Sequence, residues 1–151
     1  MNKIIKFILV LFFLGACGFK PIFSGKKVDF GINSLKYDEN KIVEFLINKN
    51  LNNYKETKNK NKIYEVEILS KKNKITISKD ERGAPKSFRT EIYVNFKILK
   101  NEELISSKDF YKSQDYNNNE NKFDLNRYEE NIENNILSKL NERIIIYLYS
   151  L

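Results

Sequence analysis

The 151-residue chain carries 27 basic and 20 acidic residues, a formal net charge of +7, with no His, no Trp and one Cys. That inventory excludes Cys/His zinc clusters, a Cys–His nucleophile and an internal disulfide. The basic excess is spread along the chain, which suits an anionic surface and does not resemble a nucleic-acid recognition module.

Lys3 and Lys6 precede Phe7 to Leu14, an unbroken apolar run, and Gly15 and Ala16 follow. A positive start, a short apolar stretch and small residues are the three parts of an export leader. Counted from Ile4, the hydrophobic segment reaches 11 residues, short of the ~20 needed to span a bilayer. Residues 1–16 are therefore expected to be a signal peptide and not an anchor. Leu14-Gly15-Ala16-Cys17 resembles the bacterial lipobox. The resemblance implies that the Cys17 thiol takes a diacylglycerol as a thioether and that Cys17 becomes the first mature residue. This covalent lipid is the one non-protein group expected; two or three acyl chains anchor firmly where one binds only marginally. Gly18 does not resemble the Asp of an inner-membrane retention signal. The expected destination is thus a bacterial outer membrane, and the lipoprotein resemblance implies its periplasmic leaflet. The mature chain keeps 135 residues, 25 basic and 20 acidic, about one domain's worth.

Residues 17–27, with Pro21, read as an extended lead-out, and 28–151 as a single domain. Val28 to Ile32 alternates with period two and predicts a strand. Asp38 can cap a helix starting near Glu39, with Ile42, Phe45, Leu46 and Lys49 on one face and an end near Asn50. Asn52 to Lys62 is polar and predicts a loop. Ile63 to Leu69 predicts a strand with Tyr64, Val66 and Ile68 on one face and Glu65 and Glu67 on the other. Ile75 and Ile77 follow a Lys71-Lys72-Asn73-Lys74 stretch that is either a turn or the outer part of one long bent strand. Lys79 to Lys86, holding Gly83 and Pro85, predicts a hairpin connection. In Phe88 to Leu99 the residues Phe88, Thr90, Ile92, Val94, Phe96 and Ile98 point one way, the pattern of a sheet covered on one face. Asn101-Glu102 predicts a tight turn, Leu104 to Tyr111 a returning strand, and Gln114 to Lys122 a loop. Asp124 or Asn126 can cap a last helix whose stripe is Leu125, Tyr128, Ile132, Ile136, Leu140, Ile144 and Leu148. The order predicts an α+β fold, a two-layer sandwich with two helices on one face of a mixed or antiparallel four-stranded sheet.

Cys17-Gly18-Phe19-Lys20-Pro21-Ile22-Phe23 resembles the mature start of the LPS-assembly lipoprotein (LptE) family, and the order of elements behind it is similar over essentially the whole chain. The resemblance implies a non-enzymatic plug and folding partner of a large outer-membrane β-barrel translocon, LptD-like, that assists lipopolysaccharide assembly. A periplasm-facing lipoprotein adapter of another envelope assembly machine is the alternative. Lipopolysaccharide calls for cations facing phosphates and acidic sugars. The candidate cluster is Lys79, Arg82, Lys86 and Arg89 around the hairpin loop, with Lys71, Lys72 and Lys74 as a second basic patch. A barrel lumen is largely polar, and Tyr93, Tyr111 and Tyr116, read as outward-facing, are candidate partner contacts together with Tyr149. Tyr93 and Tyr111 read equally well as filling the second side of the sheet. Ile144 and Leu148 are expected to be buried. Catalysis would have to use carboxylates or a Ser/Lys pair, and the adjacent pairs Asp80-Glu81 and Glu129-Glu130 give no sign of convergence.

Overall fold

The computed structural model of the chain describes residues 30–38, 41–49, 51–55, 60 and 62–151. The leader, Cys17, the lead-out, Val28, Asp29, Glu39 and Asn50 lie outside the described residues. Chain order is β1 (Phe30–Tyr37), α1 (Lys41–Lys49), a 3-10 turn (Leu51–Tyr54), β2 (Lys62–Lys79), β3 (Pro85–Lys100), β4 (Glu103–Asn117) and α2 (Lys122–Tyr149). The strands lie side by side in the order β1-β2-β3-β4, with β1 parallel to β2 and the other pairs antiparallel. The parallel pair needs a crossover, and α1 lies in it. Both helices pack on one face, so the expected two-layer α+β architecture is observed.

Alternation builds this arrangement. Tyr64, Val66 and Ile68 on β2, and Ile92, Val94, Phe96 and Ile98 on β3, are buried beneath the helices. From α2 come Leu125, Ile132, Ile136, Leu140, Ile144 and Leu148, joined by Leu137 and Tyr147; from α1 come Ile42, Val43 and Leu46. Tyr128, read as part of the stripe, is half exposed at its margin and meets Tyr116 edge-on, with ring centroids 6.1 Å apart.

Some boundaries differ from the sequence reading, and one open alternative is decided, each for a physical reason. β1 continues to Tyr37 because a register shift between Ile32 and Ser34 breaks the period-two pattern. Residues 62–79 form one long strand, the second of the two readings open for Lys71 to Lys74, since every residue from Glu65 to Thr76 pairs with β3. β4 runs on to Asn117, where a loop was expected, because β3 still offers partners as far as Ser87. The cap of α2 is Asn121 and neither Asp124 nor Asn126: its side chain accepts the N–H groups of Phe123 (3.0 Å) and Asp124 (3.4 Å). Asn101 and Glu102 both have positive φ, +52° and +67°, which matches the tight turn expected there.

Phe96 is fully buried at the centre of the core. Phe96→Ala is expected to cost about 3–5 kcal/mol of folding free energy, read from the denaturant midpoint.

Candidate functional site

The hairpin β2–β3 ends in a turn over residues 80–84 that Asp80 organises. Its Oδ1 accepts the N–H groups of Arg82 (2.9 Å) and Ala84 (2.8 Å), while its backbone N–H donates to the Ala84 carbonyl (2.8 Å). Gly83 takes φ +82°, a left-handed conformation in which a side chain would be strained. Asn118, just past β4, donates to the carbonyls of Pro85 (2.7 Å) and Lys86 (2.9 Å). The turn is thereby tied to the segment that leads into α2, and the positive end of that helix's dipole lies at the same end of the molecule.

Lys79, Arg82 and Lys86 are exposed on this end, and among the described residues no salt bridge engages them. Arg89 differs. Its guanidinium grips Asp115 on β4 through Nε (2.6 Å) and Nη2 (2.9 Å). That bond holds the Asp115 carboxyl below the usual carboxylate range and raises the guanidinium above its own. The four predicted cations therefore divide into three unengaged ones and one committed to a cross-strand pair. The second basic patch divides too. Lys72 pairs with Glu133 (2.6 Å) and Lys74 with Glu129 (2.5 Å), both on α2, whereas Lys71 turns to the helix-free face.

That helix-free face carries the two tyrosines at the middle of the sheet. Tyr93 and Tyr111 are directly opposed on β3 and β4, their ring centroids 4.6 Å apart. Each phenol donates to a different oxygen of Glu91, at 3.1 Å. Glu91 is only 9% exposed although no helix covers it. Burial, and then the Glu91 carboxylate, raises the Tyr93 phenol. A shallow depression of about 460 Å³ lies beside the pair, bounded by Leu69, Lys71, Asn95 and Asp109.

Tyr116 was read as outward-facing and is not: it is 5% exposed, on the helix side, against Phe88 and Tyr128. The phase of β4 decides this, since Tyr116 shares a face with Phe110 and pairs with Phe88. Its phenol donates to Glu129 (2.9 Å), the carboxylate that also takes Lys74. Burial pushes it up to about 12, with Thr90 opposing the rise and Glu129 adding to it. Tyr149 packs edge-on against Phe30 at 6.1 Å and is half buried, so part of its ring serves the core. Ile144 and Leu148 are buried as expected.

The sequence reading missed Glu91 as the anchor of the tyrosine pair. Its only signal was a carboxylate two positions before Tyr93; the second phenol arrives from another strand. Among the described residues no group of His, Cys, Asp or Glu is placed to hold a metal ion, and no helix is long and apolar enough to cross a membrane. The arrangement offers three exposed cations beside the carboxylates Asp80 and Glu81 at one end, and a helix-free face that sets the Tyr93–Glu91–Tyr111 group among exposed apolar side chains such as Leu69 and Ile75.

No protein-family model matches the chain, and no curated protein matches its sequence. Solved structures do match in fold. The rare lipoprotein B of Shewanella oneidensis aligns with a TM-score of 0.63 at 15% identity, covering 80% of this chain and 94% of that one. A minor lipoprotein of Acinetobacter baumannii gives 0.63 at 14%, covering 82% and 92%. An uncharacterized lipoprotein B of Nitrosomonas europaea gives 0.57 at 12%, covering 78% and 83%. The chain shares the fold of these bacterial lipoproteins.

Two phenols, Tyr116 and Tyr54, stand at about 12, the latter through burial and then its bond to Tyr149. A raised phenol favours the folded chain while it is neutral. Its contribution is complete below the ordinary value of about 10 and is lost as pH rises through the folded value. Stability is therefore expected to fall between about pH 10 and 12, and Tyr116→Phe to flatten part of that fall in denaturant midpoints measured across the range.

Proposed function

We propose that this chain is a lipid-anchored, non-enzymatic partner of a large outer-membrane β-barrel, held at the periplasmic leaflet through Cys17 and serving lipopolysaccharide assembly. The observation that carries the reading is a lipobox followed by Cys17-Gly18-Phe19-Lys20-Pro21, standing before a body with the fold of bacterial lipoproteins. The unengaged cations at the turn support a contact with phosphate-bearing sugar. The hydrogen-bonded Tyr93–Glu91–Tyr111 face supports seating against a polar lumen wall. Lys79, Arg82 and Lys86 are the residues for the anionic ligand, and Arg89, engaged by Asp115, serves to fix their base. Tyr93 and Tyr111 are the residues for the barrel contact, with the exposed edge of Tyr149 beside the chain's end.

Each part has its own test. Cys17→Ser is expected to move the protein from the membrane fraction to the soluble one and to abolish the acyl mass on the mature N-terminus. The lipidated protein, isolated in mild detergent, is expected to bring down a barrel of several hundred residues. Its recovery alone from membranes that hold such a barrel would sink the translocon reading and favour an adapter of another envelope machine. Arg82→Ala with Lys86→Ala is expected to weaken lipopolysaccharide binding by about tenfold or more, since each replaces a charge-assisted contact. Unchanged affinity would remove the ligand from this turn and leave the barrel role standing.

A further inference from the structure

β1 ends at Tyr37, opposite Ile68, and β2 continues to Lys79. Among the described residues no strand pairs with that outer part of β2 on the side away from β3. The side on which its backbone lies open can be read from one bond. The Ser70 N–H donates to Asp38 Oδ2 (3.4 Å), which follows directly on β1. Backbone groups of alternate residues point the same way along a strand. Lys72, Lys74 and Thr76 therefore present N–H and C=O to the open side, up to the register shift that follows Thr76. Lys71 and Asn73, between them, turn theirs to β3.

A cleft of about 590 Å³ lies alongside this edge, under the two helices. Its apolar wall is Ile42, Phe45 and Leu137, and Lys72, Glu133 and Asn134 bound it on the polar side. The Lys72–Glu133 pair spans from strand to helix, so the cleft follows the edge. A row of paired donors and acceptors recurring every two residues, about 7 Å, matches another extended backbone and no compact ligand. The adjoining cleft, with its one apolar wall and a rim of Lys41, Lys72, Glu130 and Glu133, supplies the pocket that strand-addition sites use for side-chain selection.

We propose that this outer edge of β2 takes up an extended segment of a partner protein, which continues the sheet past the end of β1. Side chains of the added strand on the helix side enter the cleft and are apolar. Those on the other side lie beside Lys71 and Asn73, between the exposed Leu69 and Ile75, and the one beside Lys71 is acidic. The recognised segment thus carries apolar residues at alternate positions and an acidic one beside Lys71, over about six positions, enough to match Lys71 to Thr76. The opposite edge, β4, is partly taken. Arg143 reaches over from α2 and donates to the Tyr111 carbonyl (3.0 Å), occupying that edge at its middle. The inference stands apart from the barrel reading, because it rests on the open edge and the cleft alone.

The test uses the full lipidated chain in detergent and, as probe, an end-blocked nonapeptide alternating valine and glutamate. Binding is expected to slow amide exchange at Lys72, Lys74 and Thr76 by about tenfold or more, with Lys71 and Asn73 unchanged. Lys74→Ala keeps the edge N–H and is expected to bind within about threefold of the parent, whereas Lys74→Pro removes that N–H and loses about tenfold or more. Asn134→Trp, filling the cleft from the helix surface, is expected to weaken binding similarly. Circular dichroism checks that each variant folds. Should Lys74→Pro unfold, the exchange pattern and Asn134→Trp decide between them. The proposal is overturned by absence of peptide binding at millimolar concentration, or by binding without protection at those three amides. Equal binding by the folded Pro and Ala variants also overturns it. Protection of the same amides on concentration-driven dimerisation without peptide would assign the edge to a second copy and overturn the partner segment.

Discussion

Burial of the inner face of β3 sets the rest of the molecule. Ile92, Val94, Phe96 and Ile98 have essentially no exposed surface, and each such side chain contributes about 1.5–3 kcal/mol relative to an exposed one. Because side chains alternate along a strand, fixing that face inward fixes Arg89, Glu91, Tyr93, Asn95 and Lys97 on the other face. Slipping β3 by one residue would bury that set and expose the apolar one. The helix-free surface is thus a consequence of the core, and its side chains come in a set register: Tyr93 against Tyr111, Arg89 against Asp115, Asn95 against Asp109. The Tyr147 ring, edge-on to Phe96 (6.3 Å) and Phe110 (5.8 Å), carries α2 onto both central strands.

Exposed ion pairs of the kind formed by Lys72, Lys74 and Arg89 add little to stability. Their effect here is on availability. A lysine held by a carboxylate of α2 offers less charge to an outside anion than one with no such neighbour. The carboxylates of α2 that do this, Glu129 and Glu133, stand over the middle of the sheet and do not reach the hairpin turn. Lys79, Arg82 and Lys86 thus stay without an ion pair at the hairpin end, as Lys36, Lys41 and Lys100 do elsewhere on the surface among the described residues.

What was legible in the sequence, and what was not, follows from the range of the interactions involved. β3 announced itself because its buried face recurs at every second residue. The inward face of α2 did the same at three and four. The second half of β4 did not: Lys112, Ser113, Gln114 and Asp115 sit on an edge strand with little covered, so apolar alternation never develops there. Asn121 is one of four asparagines between positions 117 and 121, and only backbone geometry selects which one caps. Tyr116 was assigned to the wrong face for the same reason that β4 was cut short, since a strand that ends at Tyr111 carries no phase to residue 116. Arg89–Asp115 spans 26 residues and the Glu91–Tyr111 bond 20, and neither can be found before the register of β3 against β4 is known.

Glu91 makes the uncovered face more than a surface left over. A carboxylate at 9% exposure loses most of its hydration, and such a group is costly unless its oxygens find donors. Both do, one from each phenol. The two rings in turn lose rotational freedom, because each is held at its hydroxyl and against the other ring. The usual outcome for an exposed sheet face is a layer of independently mobile side chains. Here the middle of that face is stiffened by three side chains from two strands. Less side-chain entropy is then left in that face than in one of independently mobile side chains.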